Sequence, residues 1–93
     1  MITTSQKDAI LNTLAPHDPA MVGIFGSFAR NENKADSDLD ILVDFKRVVN
    51  LLDLIGLEQE LSEILGIKVD LVTRRSLSSY IEPYVNKELI RIL

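Results

Sequence analysis

GIFGSFARNENKADSDLDILVDF, residues 23–45, places a glycine–serine pair after one apolar run and two aspartates at the head of another. The second run alternates. Leu39, Ile41, Val43 and Phe45 share one face of an extended segment, and Asp38, Asp40, Leu42 and Asp44 share the other. This period of two predicts a strand whose odd-numbered face builds a core and whose even-numbered face is left free. The first run, MVGIF from Met21 to Phe25, is short and wholly apolar, which predicts a buried strand. GSFAR, Gly26 to Arg30, is read as opening a short helix, and NENKADS as a polar loop.

Upstream, Thr3 and Gln6 have the spacing of a capping box, and Ile10, Leu11 and Leu14 follow at helical intervals. APHDPA ends that helix, because two prolines in four residues cannot continue it. Downstream, Asn50 is a natural N-cap and Gly66 suits the residue after a helix end. Between them Leu51, Leu54, Ile55, Leu57, Leu61, Ile64 and Leu65 form a wide apolar stripe. IKVDLV alternates again, with Ile67, Val69 and Leu71 on one face and Lys68, Asp70 and Val72 on the other. TRRSLSSYIE is a turn or short helix. PYVNKELIRIL begins a helix at Pro83, and its last residues form either a frayed helix end or a short edge strand. The expected order is α-β-α-β-α-β-α in one domain, residues 1–93. It is an α/β (α+β) arrangement with helices on one face of a small sheet and an acidic site on the other.

The composition narrows the chemistry. With no cysteine, disulfides and thiolate metal sites are excluded, which suits a reducing cytoplasm. The one histidine, His17, lies in the proline-rich loop, so a histidine-rich zinc site or a Ser-His-Asp triad is not expected. No apolar run approaches the roughly 18 residues of a membrane helix, and the N-terminus lacks the pattern of a signal peptide. A net charge of −4 disfavours direct binding to nucleic acid through a broad basic surface. It fits a basic protein partner, or an anionic ligand bridged by cations.

Asp38 and Asp40 project on the same side of their strand, about 7 Å apart along it. Asp70 has the same parity on another strand. If the two strands are neighbours, three carboxylates converge, and their mutual repulsion calls for a cation. Ligands that are all oxygen favour Mg²⁺, with Mn²⁺ compatible, and such ions take further ligands from substrate phosphates. Gly26 and Ser27 supply the complementary half, a strand-to-helix turn whose free N–H groups favour an anion. The Walker pattern is absent. Each piece alone has an ordinary structural reading; it is their combination that points to a site.

GSFAR, with ten residues between Ser27 and Asp38, then DSDLDILV and the later VDLV together resemble the nucleotidyltransferase superfamily that includes DNA polymerase beta. The compact length resembles its minimal, MntA-like members. The resemblance implies a nucleotidyltransferase fold with a small mixed sheet. It implies that Asp38, Asp40 and Asp70 are catalytic and hold two Mg²⁺ ions, and that Gly26 and Ser27 bind the β/γ-phosphates of ATP. Arg30 matches the family's arginine and would support the triphosphate or the local fold. Asn31 stands where relatives often carry glycine, and asparagine tolerates positive φ. The implied reaction transfers AMP to a tyrosine of a helical HEPN toxin, which makes the chain an antitoxin, with a heteromer or oligomer compatible. Two alternatives are a catalytic subunit acting on a small-molecule hydroxyl, as in aminoglycoside nucleotidyltransferases, and a binding module that masks a toxin without catalysis.

Overall fold

The computed structural model describes residues 2–93. The first helix, α1 (Thr4–Leu14), starts where the capping box predicts. The Thr3 hydroxyl accepts from the Gln6 N–H, and the Gln6 side chain accepts from the Thr3 N–H at 2.8 Å. A 3-10 turn carrying Pro16 then stops it.

Four strands follow: β1 (Pro19–Phe25), β2 (Leu39–Phe45), β3 (Val69–Thr73) and β4 (Ile90–Arg91), arranged in the order β3-β2-β1-β4. β1 runs antiparallel to both β2 and β4, whereas β2 and β3 are parallel. Parallel neighbours require a long crossover, which α2 (Leu51–Leu65) provides. The sheet is therefore mixed, and the final residues resolve as an edge strand.

The odd-numbered face of β2 is buried as its alternation predicts. Leu39, Ile41 and Val43 pack with Val22, Ile24, Val69 and Leu71 against Ile10 and Leu14 of α1 and Leu57 and Leu61 of α2. Each fully buried side chain of this size contributes roughly 1.5–3 kcal/mol. The stripe on α2 is narrower than its sequence implies. Leu57 and Leu61 are buried and Leu54 and Leu65 partly so, but Leu51, Ile55 and Ile64 lie exposed, because a single sheet face covers only one side of the helix.

The second face of the sheet carries the acidic residues at one end, as expected, but its middle is not open. Leu42 is fully buried with Met21 and Val85, the last from α3 (Glu82–Glu88). This short helix covers the centre of the face and forms one wall above the acids. Pro83 sits in its first turn, as predicted.

Residues 26–31 correct one expectation. GSFAR makes a single helical turn rather than a helix. The turn closes at once: the Glu32 N–H donates to Ser27 O at 2.9 Å, and the Asn31 N–H to Phe28 O at 3.3 Å. This pair is the Schellman arrangement, with Asn31 left-handed at φ 58°. Asparagine thus fills a glycine-like position, as its tolerance of that conformation suggested.

Candidate active site

β1 ends where β2 begins, and the antiparallel register sets Phe25 opposite Asp40. The chain must leave β1 beside that carboxylate. Gly26 makes this passage with φ +74°, and a Cβ at that position would collide with the Asp40 side chain. Only glycine combines the left-handed backbone with the missing side chain. The turn that follows leaves the N–H groups of Ser27, Phe28 and Ala29 without a protein acceptor among the described residues. Open backbone donors at such a turn are chemically suited to an anion.

β2 and β3 are neighbours, and their parallel register sets Asp40 directly opposite Asp70. Two side chains of α2 hold this register from outside. Glu58 Oε2 accepts from the Leu71 N–H at 2.8 Å, and Ser62 Oγ accepts from the Val69 N–H at 3.0 Å. These bonds occupy the outward N–H groups on either side of Asp70, so the edge strand is fixed where an acid must stand.

The electrostatics of the pair follow from this placement. Asp40 is pushed up to about 6 from an ordinary value of 3.8. Burial is the main cause, followed by the charge of Asp70, the hydrogen bond shared with it, and the charges of Asp38 and Glu88. Asp38 lies just before β2, its carboxylate 3.7 Å from the Lys68 ammonium. Among the described residues, no three acidic, histidine or cysteine side chains are gathered in a metal-holding arrangement. Asp40 and Asp70 meet, while Asp38 is engaged with Lys68. The donor set nevertheless suits a hard divalent cation. It is all oxygen, and Asp40, raised first by burial and then by its acidic neighbours, is a carboxylate whose charged form a bound cation would favour.

Gly26, Ser27, Arg30, Asp38, Asp40 and Asp70 all line one open cleft of about 510 Å³. The opposite wall is α3, with Ile81 and Tyr84 exposed on it. Arg30 turns to the fold, its Nη1 donating to Glu88 Oε2 at 2.8 Å and its Nε to Glu32 Oε2 at 3.3 Å. Those bonds, the one to Glu88 foremost, raise its pKa above the ordinary guanidinium value.

The residue that sequence reasoning missed is Glu88. Its Oε1 accepts from the Gly26 N–H at 2.8 Å, so Gly26 spends its own donor on α3 and the open donors begin at Ser27. Burial pushes Glu88 upward, but the hydrogen bonds from Arg30 and the Gly26 N–H outweigh it and hold the carboxyl below its usual range. One local sign was available: a carboxylate in the last turn of a helix opposes the helix dipole.

A family model for the nucleotidyltransferase domain matches residues 7–92, and the chain belongs to that family. Its similar relatives are of the minimal, MntA type. Protein adenylyltransferase MntA of Thermococcus cleftensis is 48% identical over 71 residues, covering 76% of this chain and 72% of that one. A Methanocaldococcus jannaschii chain classed with the protein adenylyltransferases is 41% identical over 87 residues, 94% of each chain. Another from the same organism is 52% identical over 68 residues, though the match spans only 66% of its length. Among solved structures, a toxin–antitoxin complex with AMP-PNP superposes with a TM-score of 0.86 at 25% identity, covering 94% of this chain and 72% of the other. A structure classed as a minimal nucleotidyltransferase gives 0.81 at 40% identity, covering 92% and 88%.

Proposed function

We propose that this chain is a Mg²⁺-dependent adenylyltransferase that moves AMP from ATP to a tyrosine hydroxyl of a helical HEPN toxin, and so serves as its antitoxin. The observation that carries this is the register of β2 on β3. It sets Asp40 against Asp70 at the mouth of a cleft whose other corner is the open-donor turn after Gly26. The name of the Thermococcus relative and the AMP-PNP in the similar toxin–antitoxin complex support the same reading.

In this reading the N–H groups of Ser27, Phe28 and Ala29 and the Ser27 hydroxyl receive the β- and γ-phosphates. Asp38, Asp40 and Asp70 hold the metal ions, with Asp38 leaving Lys68 to do so. Bound there, Mg²⁺ would supply Lewis acidity, making the acceptor hydroxyl easier to deprotonate and balancing charge on the pyrophosphate. The acceptor oxygen bonds to the α-phosphorus, the bond from that phosphorus to the β-bridging oxygen breaks, and pyrophosphate leaves. The hydroxyl proton passes to a carboxylate of the cluster. The protein's own contribution is to orient these groups and to preorganise charge. The cleft is open to solvent on one side, which leaves room for an acceptor tyrosine to enter.

The test is intact-mass spectrometry of the cognate partner after incubation with ATP and MgCl₂. A gain of one AMP or more on tyrosine is expected, lost in Asp38→Asn and Asp40→Asn. Protection of cells by Asp40→Asn equal to wild type would instead indicate masking by contact. A modified small molecule with an unmodified partner would move the acceptor to another class.

A further inference from the structure

We infer that Glu88 is a positioning residue for the nucleotide: it presets the phosphate-receiving turn by tying Gly26 and Arg30 to α3. This rests on the reading of the cleft as a nucleotide site, and it assigns a role to a residue outside that site's acidic set. The geometry is specific. One carboxylate spans two donors from the turn, the Gly26 N–H at 2.8 Å and the Arg30 guanidinium at 2.8 Å. Both bonds join residues about 60 positions apart in sequence, so they are tertiary and not a by-product of local folding.

Three further observations support it. The carboxylate ends α3, where the helix dipole disfavours a negative charge, so α3 gains nothing locally from it. Gly26 is held in a left-handed conformation, where an unanchored glycine would sample many others. Fixing its N–H holds the turn that begins at Ser27, which lines the cleft, in one conformation. Arg30, the last residue of GSFAR, is held in place by Glu88 on one side and Glu32 on the other. Glu88 therefore orders the turn before any ligand arrives, which removes an entropic cost from binding. Because a preset turn helps the ground state and the transition state alike, its loss should appear in KM and not in kcat.

The experiment compares wild type, Glu88→Ala and Glu88→Gln. Affinity for a non-hydrolysable ATP analogue is read by calorimetry, KM and kcat by AMP transfer, and folding by circular dichroism. Glu88→Ala should weaken nucleotide binding about tenfold and raise KM equally, with kcat within about twofold of wild type. Glu88→Gln, whose amide oxygen can still accept from the Gly26 N–H, should recover most of the loss, to within about threefold. If Glu88→Ala does not fold, the small deficit of Glu88→Gln in affinity carries the test alone, and affinity equal to wild type overturns the inference. Unchanged affinity in folded Glu88→Ala overturns it as well, since the contact would then serve stability only. Tighter binding in Glu88→Ala also overturns it, because the carboxylate would be a plug occupying the anion's place. Wild type that binds no nucleotide would overturn the underlying reading itself, a result distinct from the others.

Discussion

Replacing Asp40 with asparagine should stabilise the metal-free protein while abolishing its proposed activity. Asp40 faces Asp70 across the β2–β3 ladder, with its carboxyl raised from 3.8 to about 6 by burial and by neighbouring carboxylates. At about 1.36 kcal/mol per pH unit, that displacement sets a ceiling of about 3 kcal/mol on the penalty for the charged form. The cleft is open to solvent, and screening reduces the figure to about 1–2 kcal/mol. For a domain of this size the gain corresponds to roughly 5–10 °C in melting temperature at pH 7.5. The sign follows from a folded-state pKa above the unfolded one. The native state holds this proton more tightly, so the penalty is absent below about pH 3.8 and grows to its full value as pH rises through about 6. The advantage of Asp40→Asn over wild type should therefore shrink as pH falls through that window. Thermal melts in EDTA at a series of pH values measure it. Asp70→Asn removes only one of the charges that raise Asp40 and leaves its burial in place, so its gain should be smaller, and the double variant should gain less than the sum. Adding MgCl₂ should raise the melting temperature of wild type more than that of Asp40→Asn. Equal stability at pH 7.5, or a gap that persists at pH 3.5, would refute the reasoning.

Gly26→Ala should lose about 1–3 kcal/mol, because alanine must adopt positive φ and its Cβ meets the Asp40 carboxylate; the urea midpoint at unchanged slope reads this. Glu58→Ala should cost about 1–2 kcal/mol and speed amide exchange at Leu71, whose N–H loses its acceptor, while Glu58→Gln stays near wild type. Leu61→Ala, at a fully buried position between α2 and the sheet, should cost about 2–5 kcal/mol in equilibrium unfolding.

Much of this molecule could be read from its residues because the relevant constraints are local. Thr3 and Gln6 cap α1 through bonds three residues apart, Asn50 caps α2 in the same way, and Gly66 ends it left-handed. The alternation in β2 sorts core from cleft because a strand repeats every two residues. Misreadings arose where a neighbour decides. GSFAR looks like the start of a helix, but Asn31 closes it after one turn and β2 must begin soon after. The leucines and isoleucines of α2 outnumber the sheet positions available to cover them, and Leu51, Ile55 and Ile64 remain exposed.

Sequence alone determined which residue types were available for phosphate and metal chemistry, and that Asp38, Asp40 and Asp70 lie off the apolar faces. Those are properties of composition and short-range period. Tertiary structure alone decided that Asp40 stands opposite Asp70. Their strands are separated by all of α2, and the register is set by Leu57 and Leu61 packing on the sheet and by Glu58 and Ser62 bonding the strand edge. It also decided that α3 would cover Leu42 and bring Glu88 to Gly26, a contact across 62 residues whose partner no local pattern names. The acids were legible because alternation is periodic; the turn's support was not, because a single long-range hydrogen bond leaves no period behind.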